Sequence, residues 1–218
     1  FITHDICEEW ALDKIIKRAF ATSEDIGSFY QDIGHSLPVR RAFRDWLSNK
    51  LLINYVNIKV NIKSFIETSI NDKEIPSHWR DEVIVSVLLS DHSKNFIQLF
   101  ESTLLEDDQE LLVRIVFLLR IACKEIDENL LNYLGISKRG NFTLETLFTR
   151  PKGRGWNSVI DFIHKHKDKL GLNHINIILP LLDDWNKQNK KGETTKKAGQ
   201  VALYYYDRIS EKGRLSYR

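Results

Sequence analysis

The chain has no methionine and only two cysteines in 218 residues. Cys7 and Cys123 lie far apart, each inside an apolar helical pattern, which fits buried thiols in a reducing compartment better than a disulfide framework. No apolar run is long enough to span a bilayer, and no charged segment followed by an apolar one opens the chain. Neither a membrane anchor nor a secretory signal is expected, so the reading is a soluble, cytoplasmic protein with no membrane partner. An excess of one charge is missing too, because 32 Lys and Arg face 30 Asp and Glu for a formal net charge of +2. That balance gives no global argument for nucleic acid or lipid, and any such claim has to rest on local patches. The chain opens on Phe1, and with Met absent it reads as a piece of a longer protein.

Signatures of unaided chemistry are also lacking. There is no Gly-x-x-x-x-Gly-Lys-Ser/Thr loop, no Gly-x-Ser-x-Gly elbow and no Cys or His cluster at metal spacing. Asp161, His164 and Asp168 fall at helical-turn intervals and could converge on a cation. The surrounding His164-Lys165-His166-Lys167-Asp168-Lys169 reads instead as a charge-rich outer face whose lysines oppose a metal. This stretch alone is therefore expected to be no enzyme and to hold no metal or cofactor.

What the sequence does contain is helical periodicity. Cys7, Ala11, Leu12, Ile15, Ile16, Ala19 and Phe20 form an apolar stripe over a helix at 5–20, with Trp10 beside it. Thr22-Ser23-Glu24-Asp25 offers a new helix start, and Phe29, Tyr30 and Ile33 make a short helix that stops near Gly34. Pro38 stands in or just before the first turn of a third helix, where its missing N–H does no harm. There Ala42, Phe43, Trp46 and Leu47 face inward, and Arg40, Arg41 and Arg44 form a solvated or acid-paired face.

From residue 58 a pairing of amphipathic helices recurs. The first pair carries Ile62, Phe65, Ile66 and Ile70, then Trp79, Val83, Ile84, Val87, Leu88 and Leu89. The second carries Phe96, Ile97, Leu99, Phe100 and Leu104, then Leu111, Leu112, Ile115, Val116, Leu118, Leu119 and Ala122. A last pair carries Ile175, Ile177, Ile178, Leu181 and Leu182, then, after a loop from Asn186 to Thr195, Ala198, Val201, Ala202, Tyr204, Tyr205 and Ile209. One such pair cannot bury its own apolar face, so the expected fold is all-α, an irregular α-solenoid of stacked helical hairpins.

Asp107-Asp108-Gln109-Glu110-Leu111-Leu112-Val113-Arg114 is similar to the second half of a HEAT repeat. The resemblance implies that Asp108 and Arg114 tie the paired helices together; the other pairs lack this signature. The expected organisation is 1–56 as a helical segment, 57–134 as HEAT-like hairpins, 135–155 as a basic, glycine-punctuated loop or hinge, and 156–218 as C-terminal hairpins. Trp156 should open the helix after the hinge, with Val159, Ile160, Phe162 and Ile163 inside.

Asp5 and Glu8 have the spacing of a capping box, which would start the first helix at Asp5 and leave His4 just outside it. Unpaired N–H groups and the helix dipole favour an anion there, so His4 could help to hold a phosphate; otherwise it is an ordinary surface residue. Thr3-His4-Asp5 followed by Ile6 and Glu8-Glu9-Trp10-Ala11-Leu12 is similar to the Met-His-Asp type motif that closes the winged-helix domain of STAND-class signal-transduction NTPases. That class includes immune receptors and bacterial defence ATPases. The resemblance covers about the first twelve residues and has Thr3 in place of Met. It implies that His4 senses the phosphates of bound ADP, with ATP or ADP and Mg held by an upstream module of the parent protein. The chain would then be a scaffold and sensor that binds a protein partner or ligand on its helical surface.

A second reading is a HEAT-like nucleic-acid-binding module. Lys138, Arg139, Arg150, Lys152 and Arg154 cluster in one basic segment, and Lys190, Lys191, Lys196 and Lys197 in another, both read as loops beside Trp156 and Trp185. On one edge of a solenoid they would form a positive strip for phosphates. The alternative is solvated lysines in loops, weakened by Asp183, Asp184 and Glu193. In Tyr204-Tyr205-Tyr206, helical geometry lets at most one or two rings share a face, so core packing with one rim tyrosine is expected.

Overall fold

The computed structural model describes residues 2–52, 56–135 and 148–216. Over these the fold is all-α, with eleven α-helices and one short antiparallel ribbon among the described residues. The chain divides into two compact units, Phe1–Leu99 and Phe100–Arg218. Their boundary falls inside the segment 57–134 that reads as continuous from sequence.

The first unit contains α1 (Ile2–Thr22), α2 (Ile26–Ile33), α3 (Leu37–Leu52), α4 (Val56–Asn71), α5 (Ser77–Leu89) and α6 (Ser93–Leu99). Helix α1 begins at Ile2, three residues before Asp5, so Asp5 is no N-cap and His4 lies within the helix. Its apolar stripe is also narrower than the periodicity implies. Ile16 and Ala19 are buried, while Ile15 and Ala11 face solvent and Trp10 carries the Lys14 ammonium 3.5 Å above its ring.

The Asp25 carboxylate caps α2 by accepting the Ser28 N–H at 2.7 Å, a bond that holds its pKa below the usual value. Gly34, at φ 70°, ends the helix in a conformation that L side chains resist. Pro38 is the second residue of α3, where no helical hydrogen bond is lost.

Helix α3 packs against both α1 and α5, α2 against α4, and each of the pairs α1–α2, α3–α4 and α5–α6 is in contact. Within this unit α1 to α5 each also meet a helix of an adjoining pair, α4 through its contact with α5. At the centre, Phe29, Phe43, Trp46 and Phe65 meet at tilted and edge-on angles, with Tyr30 stacked on Trp79 at 4.9 Å. The Tyr30 hydroxyl donates to Ser69 Oγ at 2.8 Å, and burial raises its pKa. Of the three arginines on α3, Arg44 binds the buried Glu82 carboxylate and Arg40 donates to the His35 carbonyl.

The second unit begins with two 3-10 turns, Thr103–Leu105 and Asp107–Gln109, and continues with α7 (Glu110–Ala122), β1 (Lys124–Ile126), α8 (Glu128–Tyr133), β2 (Thr149–Pro151), α9 (Gly155–Leu170), α10 (Ile175–Gln188) and α11 (Glu193–Ser216). Helix α11 packs against α9 and α10, and α7 against α10 and α9. Of the expected loop or hinge at 135–155, residues 136–147 lie outside the described residues, and Thr149–Pro151 form β2, which pairs with β1 so that Glu125 faces Arg150 across the ribbon. Three residues per strand carry too little period-two pattern to announce themselves in a helical sequence.

The carbonyl of Cys123, the residue that follows α7, accepts two bonds. One comes from the Lys152 N–H at 2.9 Å, the other from the Trp156 indole N–H at 2.8 Å. Trp156 is fully buried and lies nearly parallel to Trp185 at 6.4 Å. Replacing Trp156 with Phe removes the donor, keeps most of the ring, and should lower stability by about 1–3 kcal/mol. The check is urea unfolding, with the midpoint falling and the slope unchanged.

Candidate functional site

Helix α7 is apolar on more than one face. Leu112, Ile115, Val116, Leu118 and Leu119 face the interior. A second row, Val113, Phe117 and Ile121, recurs every fourth residue on the outside, where Phe117 is 49% and Ile121 60% exposed. With Ile177 of α10 this row lines a groove of about 700 Å³. The Arg114 guanidinium lies 5.2 Å from the Phe117 ring centre, and Asp108 and Glu110 stand at the end of the groove nearest the start of α7.

One wall of the groove is fixed by charge. The Asp184 carboxylate accepts from Arg120 at 2.9 Å and Lys124 at 3.1 Å. Burial alone would raise its pKa, but these two cations outweigh burial and hold it below the usual range. The other end is set by backbone strain. Asp108 and Gln109 both adopt positive φ, 55° and 53°, a conformation costly for residues with a Cβ. Asp108 and Arg114, the two residues of the HEAT resemblance, both line this groove. The groove went unread in the sequence because the inward row on α7 already accounts for a buried helix; its signal is the second row 113, 117, 121.

The predicted phosphate contacts fare differently. Lys138 and Arg139 lie outside the described residues, and the side chain of His4 is likewise outside them. Arg150 is clamped to Glu125 by Nε at 2.9 Å and Nη2 at 2.8 Å, with the Lys152 ammonium 3.8 Å from the same carboxylate. Lys197 binds Asp161 at 3.0 Å, and Lys190 donates to the Asn186 carbonyl. Arg154, Lys191 and Lys196 are exposed.

Nor are these residues all in loops. Arg150 belongs to β2, and Lys196 and Lys197 lie in the opening turn of α11, because Gly192 ends the connection and Glu193 begins the helix. Only Lys190 and Lys191 occupy the short turn between α10 and α11. Trp156 and Trp185, expected beside the basic segments, are core residues with their indole N–H groups bound to Cys123 O and Thr195 Oγ1. Rings held in this way offer no face for base stacking. Arg150 does meet the α10–α11 turn in a polar cavity of about 550 Å³, but Glu125, Asp127, Gln188 and Asn189 also line it.

His166 departs from the outer-face expectation for 164–169. It is buried against Phe162 with Nε2 3.1 Å from Glu101 Oε1, while Lys165 grips the same carboxylate at 2.7 Å. The Asp161 carboxylate is taken by Lys197, and among the described residues no group of three or more His, Cys, Asp or Glu could hold a metal ion. Among them, too, no helix is long and apolar enough to cross a membrane. Of the three tyrosines, Tyr205 is buried and Tyr206 is at the rim, 71% exposed. Burial and Tyr204 push the Tyr205 hydroxyl up to about 12.

The chain was compared with protein-family models and with curated proteins, and it matches none of them.

Burial, opposed by Glu101 and assisted by Lys165 and Lys169, lowers the His166 pKa from its ordinary 6.5. Between the folded and unfolded values the unfolded chain binds more protons, so stability falls as pH drops from about 6.5 toward the folded pKa. His78 is lowered in the same sense by burial, Arg40 and His35. Glu101 is lowered from 4.5, chiefly by its hydrogen bond from Lys165, and loses its contribution only below that value. Melting temperature should therefore decline between about pH 7.5 and about pH 5.5, and His166→Gln should shrink but not abolish the decline. A scanning-fluorimetry series across that range, on both proteins, reads the difference.

Proposed function

We propose that this chain is a non-catalytic helical interaction module, an irregular HEAT-like solenoid region that couples partner binding to the nucleotide state of a STAND-type ATPase. The observation that supports the interaction role is the groove on α7. Phe117 and Ile121 cost free energy where they stand in water, and a partner's apolar surface would recover it at roughly 25 cal/mol per Å² buried. Support for the nucleotide link comes from Thr3-His4-Asp5. Partner binding would favour an arrangement in which His4 leaves ADP, so that nucleotide exchange and partner binding are reciprocally coupled. Signalling in bacterial defence, in the cytoplasm, is the setting that this resemblance suggests.

The test uses the full-length parent protein. It should purify with ADP bound, and His4→Ala should release a fluorescent ADP analogue several times faster than wild type in stopped flow. A parent protein that binds no nucleotide, or unchanged release from His4→Ala, would sink the coupling.

The nucleic-acid reading is the weaker one, because Arg150, Lys152 and Lys197 have carboxylate partners and both tryptophans are buried. A site of several phosphate contacts would bind tightly at low salt and lose affinity steeply as salt rises. Fluorescence anisotropy with labelled single- and double-stranded DNA and RNA should show no such salt-dependent binding.

A further inference from the structure

We propose that the α7 groove binds a small organic cation, whose apolar body lies along Val113, Phe117 and Ile121 and whose ammonium group meets Asp108 and Glu110. The inference rests on the groove being an interaction surface, and it names the chemistry that fits it. Exposure alone would not single out this row, because Tyr133 is 86% and Leu203 64% exposed. What marks it is the concavity that α7 makes with Ile177 of α10. A volume of about 700 Å³ and a mainly apolar wall with a few polar groups are the properties of a small-molecule site.

The charge of the occupant follows from which polar groups of the groove are already engaged. Arg120 is bound to Asp184 at 2.9 Å, and Arg114 lies over the Phe117 ring and makes a further interaction of its own. Asp108 and Glu110 are both exposed, and among the described residues neither carboxylate has a cation or a hydrogen-bond donor. Between them in sequence, Gln109 has a buried side-chain oxygen that likewise has no donor. The groove thus ends in unsatisfied acceptors, while both of its guanidinium groups are engaged. The positive end of the α7 dipole steadies the two carboxylates without using up their lone pairs. An ammonium group brings three donors and a positive charge to that end, which an anion or a neutral apolar ligand does not.

Length sets the probe. From Glu110 to Phe117 the helix runs about 10 Å, at roughly 1.5 Å per residue. A phenyl ring on a four-carbon chain that ends in an amine spans this distance, with its ring beside Phe117 and Ile121. Phenylbutylamine is therefore the probe, and phenylbutanol and phenylbutyrate carry the same body with a neutral and a negative end.

The experiment is an amide NMR titration of the 218-residue chain with each of the three compounds. Phenylbutylamine should bind with a Kd on the order of 1 mM, as expected for so few atoms, and should move signals from the residues that line the groove. The alcohol should bind about fivefold more weakly and the carboxylate more weakly still, since exposed charge pairs contribute modestly. Added salt should narrow the gap. Asp108→Asn combined with Glu110→Gln removes both charges, and Asn accepts the left-handed backbone at 108 as Asp does. In this double variant the amine should fall to the affinity of the alcohol while the alcohol is unchanged, a split that a merely structural role for the two acids would not produce. Glu110→Gln alone replaces the pair if far-UV circular dichroism shows lost helix. Ile121→Ser should weaken amine and alcohol alike. Equal affinity for the three probes, preference for the carboxylate, no binding up to about 10 mM, or amine binding that survives the double variant would each overturn the proposal. None of these results touches the nucleotide-release test of the parent protein, so the two readings fail separately.

Discussion

The second unit is organised around one carbonyl. Where α7 ends, Cys123 O takes the Lys152 N–H from the segment after β2 and the indole N–H of Trp156 from the first turn of α9. A buried backbone acceptor left unpaired is costly, and here its two bonds tie three chain segments to one point. The Trp156 ring then lies against Trp185 of α10, and the Trp185 indole N–H reaches Thr195 in α11. Through this chain of contacts the end of α7 is registered against every other long helix of the unit, which also holds the groove row in place.

Helix α7 has to satisfy two demands at once. Its inner row fills the core, and its outer row stays in contact with water beside Ile177. A helix that is apolar on two sides is ordinarily sunk in a larger core or covered by a partner. The left-handed pair Asp108 and Gln109 sets the angle at which α7 leaves the preceding turn, at an energetic cost that neighbouring packing has to offset. Cost and exposure thus meet at one end of one groove, and that coincidence is what separates it from the polar cavity beside Arg150.

Electrostatics within the two units are largely local. Arg44 with Glu82, Arg120 and Lys124 with Asp184, Arg150 with Glu125, Lys165 with Glu101 and Lys197 with Asp161 each bring opposite charges together. Among them, Arg44 keeps the buried Glu82 carboxylate from standing unpaired. The near-zero net charge of the sequence reflects the same balance, and within the basic runs Arg150 and Lys152 share the Glu125 carboxylate while Lys197 binds Asp161.

Helical periodicity, a helix start within Thr22–Asp25, the stop near Gly34 and the inward rows of α3, α5 and α9 were all legible in the sequence. They depend on side chains within one turn of each other, and local spacing fixes which of these share a face. Pairings between residues distant along the chain were not legible. The ribbon of β1 and β2, the burial of His166 against Glu101 and the clamping of Arg150 and Lys197 all join residues far apart along the chain, from Ile126 with Thr149 to His166 with Glu101. The withdrawal of Trp156 to the Cys123 carbonyl belongs with them. No periodicity records such contacts. The start of α1 before Asp5 is different, because a capping box and a helix interior can share the same letters and only the backbone path distinguishes them. Helical character and the choice of inward rows thus follow from the letters alone, since both rest on a repeat of about 3.6 residues. That the second apolar row of α7 remains exposed follows only from how α7 packs against α10, which covers one side of the helix and leaves the other in water.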